Sequence, residues 1–318
     1  MPHKPPHLRR LGFTLTELLA VVAATAALLT CATCLARASL LRDLTADDAA
    51  RLGEVHRGML RAAADRGSTH LPLPGLIRRK QIAGALPNGA SGFVPGLGPE
   101  DLAQNNTANL FSSTIAGQFI HPNELVSPVE SNPVVKVKQN YNHNAYNPTA
   151  SNPTFWDPTF LANIFRLNDG QSTSVCHTSY AHLAIHGERK RLRWRSSAGS
   201  MQPLLGNRGT FKGATSGNNY TKSYSLLFHP PLDQWDGNLA FGDNHVSLEH
   251  SFSPQGTTHQ CGSFGETPDN IFAWQDFSTC SSGSSTGGDT WMCISIGAPN
   301  STTYAEAPEK LTDGTNPT

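Results

Sequence analysis

His229, Asp236, Asp243 and His245 fall within one short stretch of the chain. Imidazole and carboxylate are the groups that ligate divalent ions and carry protons in hydrolysis. Their spacing contains no His-x-x-x-His pair. Each acid also stands beside a turn former: Asp236 precedes Gly237, and Asp243 lies between Gly242 and Asn244. Turn chemistry accounts for Asp243, and a surface position accounts for His245. No catalytic residue and no metal ligand are therefore assigned, and calcium is the ion an oxygen-dominated set would take. The chain has no Gly-x-Ser-x-Gly, phosphate-loop or zinc-protease motif, so no enzyme is expected.

The six cysteines divide into two classes. Cys31 and Cys34 stand in an apolar run, without the βαβ context of a redox motif, and read as small apolar fillers. Cys176, Cys261, Cys280 and Cys293 admit three pairings. Cys280 and Cys293 bracket a Gly/Ser-rich loop whose closure is worth about 3 kcal/mol in the chain-entropy model. The favoured pairing is Cys280–Cys293, with Cys176–Cys261 left over.

Glu17 is the third chemically notable residue. From Phe13 to Ala36 it is the only charge in 24 residues, after a start that carries Lys4, Arg9 and Arg10. As a helix this run measures roughly 36 Å, enough to cross a hydrocarbon core of about 30 Å. It is too long for a signal-peptide core. A carboxylate in such a span costs about 2.5 kcal/mol at the bilayer centre and calls for a partner.

The order Gly12-Phe13-Thr14-Leu15-x-Glu17-Leu18, behind a basic leader and before an apolar helix, resembles the N-terminus of type IV pilins and type II secretion pseudopilins. The resemblance implies cleavage after Gly12 by a prepilin peptidase and N-methylation of the new terminus at Phe13. It also implies pairing of Glu17 with the terminal amine of a neighbouring subunit. A second match lies in Phe241, Asp243, His245 and Val246, which resemble the Phe-x-Asp-Gly-His-Val core of a C-terminal signature found in many pilin-like proteins. Asn244 replaces the glycine there, and His229 stands farther from Asp243 than is usual. A C-terminal disulfide loop is similar to that of many pilin heads.

The elements around these residues follow from pattern. Leu41, Leu44, Leu52, Val55, Met59 and Ala63 recur at helical spacing, so the helix is expected to run from Phe13 to about Asp65, roughly 80 Å. Gly67 and Ser68 are its stop signals. Gly53 and Gly58 weaken it by about 1 kcal/mol each. Residues 67–110, rich in Pro and Gly, read as an irregular connection. The basic triplet Arg78-Arg79-Lys80 within them reads as a solvated loop. Val134–Val137, Ala181–Ile185 and Tyr220–Phe228 read as short elements, the last as a strand. Leu239 to Leu248 reads as a hairpin turning at Gly242-Asp243-Asn244. Asn140 to Pro148 forms a polar aromatic loop that either satisfies its own backbone or stacks on a glycan.

The expected order is a leader (1–12), a transmembrane half-helix (13–37), an amphipathic half-helix (38–66), a connection (67–110), an extracytoplasmic head (111–303) and a loose tail (304–318). The fold class is α+β: a long N-terminal helix and a mainly antiparallel-β, loop-rich, pilin-like head. Without the leader the chain carries 21 basic against 24 acidic residues, a net charge of −3 that excludes a nucleic-acid surface. The leader's positive charge favours a cytoplasmic N-terminus and a periplasmic or extracellular head. The expected function is structural: a pseudopilin or minor pilin-like subunit of the inner membrane. Its partners would be homologous subunits, the prepilin peptidase and an inner-membrane assembly platform. A membrane-anchored protein binding polysaccharide is the alternative, and an anchored hydrolase the third.

Overall fold

The computed structural model describes residues 14–85, 91–94, 98–148, 153–164, 175–260, 265–274 and 289–295. The leader, Gly12, Phe13, Cys261, Cys280 and the tail lie outside them. The chain divides into two compact units, residues 1–44 and 45–318.

One helix, α1 (Leu15–Asp65), supplies most of the first unit and opens the second. Every residue from Thr14 to Leu40 is exposed. It is long and apolar enough to cross a membrane. Its internal hydroxyls are satisfied within the helix. Thr25 donates to the Val21 carbonyl at 2.9 Å and Thr30 to the Ala26 carbonyl at 2.7 Å. A hydroxyl bonded back to the preceding turn presents no unmet donor to lipid.

In the second unit, Leu52, Val55, Met59, Ala62 and Ala63 of α1 are buried, as their spacing predicts. The helix ends on Gly67 at φ +57°. Gly67 N–H donates to the Ala64 carbonyl at 3.0 Å and Ser68 N–H to the Ala63 carbonyl at 2.9 Å. This is a Schellman cap, which needs a residue tolerant of positive φ where glycine stands.

A five-stranded antiparallel sheet forms the centre of the head. Its strands are β3 (Tyr180–Leu183), β4 (Pro203–Asn207), β5 (Gly237–Phe241), β6 (Val246–Glu249) and β9 (Met292–Cys293), in the order β6-β5-β4-β3-β9. Strand β5 is buried along its whole length. Ala240 belongs to the core shared with Leu52, Val55 and Met59 of α1 and with Leu110, Phe111 and Ile115. Leu239 and Phe241 belong to a second core with Trp235, Phe252, Ile271 and Phe272. Alternate side chains of one strand thus serve opposite layers. The expected hairpin is present, pairing Leu239 with Ser247 and Ala240 with Val246.

Other expectations give way. Residues 67–110 are more ordered than their Pro and Gly content suggests. They hold α2 (Pro74–Ile77), a hairpin of β1 (Ile82–Ala85) and β2 (Ser91–Val94), and the start of α3 (Thr107–Ala116). Asn106 caps α3 by accepting from Asn109 N–H at 2.9 Å. Tyr220–Phe228 is not a strand. It carries α5 (Asn218–Thr221) and a 3-10 turn, Tyr224–Leu227, because Ser223 accepts from Ser225 N–H and begins a helical turn. Val134–Val137 contributes a single bridge, Val135 to Cys176. The remaining elements are α4 (Gly187–Leu192) and the hairpin β7 (Thr258–Gln260) and β8 (Glu266–Pro268).

The expected disulfides are corrected as well: Cys176 and Cys293 are free, buried thiols. Cys176 Sγ–H donates to the Thr178 carbonyl at 3.1 Å, and Cys293 lies in a small cluster with Trp274 and Trp291. Burial pushes both thiols up to about 12. They behave as small apolar core residues rather than as cross-links.

The two glycines of α1 differ in what surrounds them. A Cβ on Gly58 would meet Ile120 and stand 2.5 Å from the Phe119 carbonyl oxygen, whereas one on Gly53 would only touch Val246 at 3.5 Å. Gly58→Ala is therefore expected to destabilise the head by about 1–3 kcal/mol. Gly53→Ala is expected to stabilise it by about 0.5–1 kcal/mol through helix propensity. Denaturant unfolding of the two variants checks the opposite signs.

Candidate functional site

At the N-terminus of α1, Gly12 and Phe13 lie outside the described residues, and Glu17 has a local partner. Its Oε2 accepts Thr14 N–H at 2.8 Å and the Thr14 hydroxyl at 2.9 Å. Glu17 N–H is 3.2 Å from Thr14 Oγ1. This reciprocal pair is a capping box, legible in the order Thr14-x-x-Glu17 and missed when Glu17 was weighed only as a buried charge. The carboxylate satisfies donors that the first helical turn would otherwise leave open.

Phe241, Asp243, His245 and Val246 meet at the β5–β6 turn. Asn244 takes φ +70°, the left-handed conformation that asparagine tolerates. Asp243 Oδ1 accepts from His245 Nδ1–H at 2.5 Å, and this bond holds the Asp243 carboxyl below its ordinary value. The His245 ring stacks flat on Phe241, with centroids 4.4 Å apart and planes 3° from parallel. Asn244 Oδ1 accepts from His56 Nδ1–H of α1 at 2.9 Å. Burial lowers the His56 pKa, so the ring there is neutral. Val246 stands against Gly53. The signature residues thus shape a turn on which the buried part of α1 rests.

His229 occupies a different place, beside a residue that sequence reading passed over. Asp48 of α1 is completely buried. Its Oδ1 accepts the Tyr180 hydroxyl at 2.9 Å, and its Oδ2 accepts from Asn238 Nδ2 at 2.7 Å. His229 Nε2 lies 3.5 Å from the same Oδ2 and 3.2 Å from Asn207 Oδ1, while Nδ1 is 3.1 Å from Thr45 Oγ1. Nε2–H thus faces two acceptors, and Nδ1 lies within hydrogen-bond distance of the Thr45 hydroxyl. Burial would raise the Asp48 carboxyl, but hydrogen bonds from His229, Ser127 and Asn238 outweigh it and hold the group below 3.8. Burial and the Asp48 charge push the Tyr180 hydroxyl well up.

Threonine, histidine and aspartate in line are the types used in nucleophilic catalysis. Here both carboxylate oxygens and both ring nitrogens are already engaged inside the core, which leaves no atom for a substrate. The arrangement fastens a helix to a sheet. Its sequence signal was present, since Asp48 stands four residues before Leu52 on the buried face of α1.

Asp236 pairs elsewhere, its Oδ2 standing 2.9 Å from His250 Nδ1. The four candidates His229, Asp236, Asp243 and His245 therefore go to three separate places. Among the described residues, no group of three or more His, Cys, Asp or Glu is arranged to hold a metal ion. The Asn140–Pro148 loop is anchored at Tyr141 and Asn142, while Tyr146 is exposed. Tyr141 donates its hydroxyl to the Ser112 carbonyl at 2.6 Å, and Asn142 N–H donates to Asp157 Oδ2 at 2.9 Å. Comparison with protein-family models, curated proteins and solved structures finds no match to the chain.

Asp48→Ala would strand four buried polar partners, Tyr180, Asn238, His229 and Ser127, and is expected to cost about 3–5 kcal/mol. Because the folded carboxyl is depressed, its contribution is complete above about pH 4 and is lost as the pH falls below that value. Chemical denaturation at pH 7 and pH 3 checks both points, since the gap between wild type and variant should narrow in acid.

Proposed function

We propose that the chain is a pseudopilin or minor pilin-like subunit, assembled through α1 in the inner membrane as part of a type II secretion or type IV pilus-like system. One observation carries this reading. An apolar helix, exposed from Thr14 to Leu40, begins at a lone acid in the order Gly12-Phe13-Thr14-Leu15-x-Glu17, and then continues as the buried helix of an α+β head.

Lipid suits the first half of the helix, which is apolar and unburied within the chain itself. Further support comes from the Asp243–His245 turn, which braces the second half. In this reading a prepilin peptidase cuts after Gly12 on the cytoplasmic side, and Phe13 becomes the methylated terminus. Glu17 then meets the terminal amine of a neighbouring pilin-like subunit while an assembly platform lifts the helices. The head stands outside the cytoplasm, and its pilin-like character belongs to this proposal.

Mass spectrometry of the mature protein should find a methylated Phe13 as the first residue; an intact Met1 would sink the reading. Glu17→Ala should be processed yet fail to enter a filament, as followed by cross-linking of sheared fractions. Wild-type assembly of that variant would remove Glu17 from the mechanism.

A further inference from the structure

Three buried polar atoms in one region of the head have no hydrogen-bond partner: Thr257 Oγ1, His259 Nδ1 and Asp269 Oδ1. The three residues are at most 4% exposed. Pairing in the β7–β8 hairpin sets His259 opposite Thr267, and Asp269 N–H donates to the Thr257 carbonyl at 3.1 Å. Thr257, His259 and Asp269 therefore share one face of the hairpin.

The other atoms of these side chains are engaged. His259 Nε2 is 3.4 Å from Thr267 Oγ1, and Asp269 Oδ2 accepts Thr290 N–H at 2.5 Å. Nearby cations are committed as well. Arg189 pairs with Asp289, and Arg193 donates to Gln202 and Thr290. His259 Nδ1 and Asp269 Oδ1 are 3.7 Å apart, too far for a hydrogen bond. Burial and the Asp289 charge push the Asp269 carboxyl up to about 7, which marks a carboxylate whose surroundings leave its charge under-compensated.

We propose that His259 Nδ1 and Asp269 Oδ1 are two ligands of a divalent transition-metal site of the zinc class within the head. Metal bonds of about 2.0–2.1 Å to nitrogen and oxygen reach across as much as about 4.1 Å. The 3.7 Å gap thus holds an ion at a ligand–metal–ligand angle of about 130°, close to tetrahedral after a shift of a few tenths of an ångström. An imidazole in the set favours zinc or cobalt over calcium. Two protein ligands leave coordination positions for water, and the Thr257 hydroxyl on the same face can hold one. Thr257 also lines an open cleft of about 360 Å³ with Arg193, Met201 and Gln202, which brings solvent up to the neighbouring backbone. This inference concerns the head alone and does not depend on filament assembly.

The test uses the full-length protein in detergent, stripped with EDTA and given Zn²⁺, Co²⁺ or Ca²⁺ in separate arms. Zn²⁺ should raise the melting temperature by several degrees, Co²⁺ should add visible d–d absorption, and Ca²⁺ should do neither. His259→Gln and Asp269→Asn should each abolish both responses. Without metal, Asp269→Asn should melt no lower than wild type because it removes an under-compensated buried charge, so its lost response would not be misfolding. No Zn²⁺ shift in wild type, a shift that both variants keep, or a Ca²⁺ shift lost in Asp269→Asn would overturn the site.

Discussion

A buried carboxylate has to be answered from every side, and Asp48 is answered by groups brought from distant parts of the chain. Tyr180 comes from β3, Asn238 from β5, and His229 from the segment leading to β5, itself leaning on Asn207 of β4. One acid on a helix thereby addresses three neighbouring strands. Apolar side chains of similar size could supply as much stability, so what the acid adds is position. Sliding α1 by one residue would move the carboxylate about 1.5 Å along the axis and turn it about 100° away from all its donors. The oily contacts of Leu52, Val55 and Met59 tolerate small shifts far better.

The β5–β6 hairpin reinforces the same placement by other means. Asn244 holds His56 through one hydrogen bond, Val246 rests on the bare backbone of Gly53, and the Asp243–His245–Phe241 stack stiffens the turn that presents them. Gly58, farther along the helix, lets Phe119 and Ile120 approach closely. Gly58, which costs helix stability in isolation, therefore serves as a docking point. Within residues 241–246, Asp243 and His245 bond each other while Asn244 reaches across to α1.

Much of this was legible before any coordinates. A helix reaching Asp65 followed from apolar spacing, and its end at Gly67 followed from the tolerance of glycine for positive φ. The hairpin was marked by Gly242-Asp243-Asn244 between alternating residues. Charge misled more than composition did. Asp48 escaped notice because acids are expected on the exposed face, although its phase with Leu52 put it on the buried one. Glu17 was weighed as an isolated charge, although Thr14 three residues earlier spelled its partner. Asn106 and Ser223 show the local cause of two further misses, since a single side chain accepting from the backbone starts a helical turn where alternation or Pro content argues otherwise. The thiols at Cys176 and Cys293 were paired by number and loop spacing, whereas their burial is a matter of tertiary packing that spacing does not encode.

The Thr14–Glu17 cap alters what joining a neighbour would mean. Both cap bonds fall on Glu17 Oε2, so under the proposed assembly a neighbour's amine would add to a carboxylate that already serves its own helix. In that assembly one side chain would both start its own helix and set the height of the next.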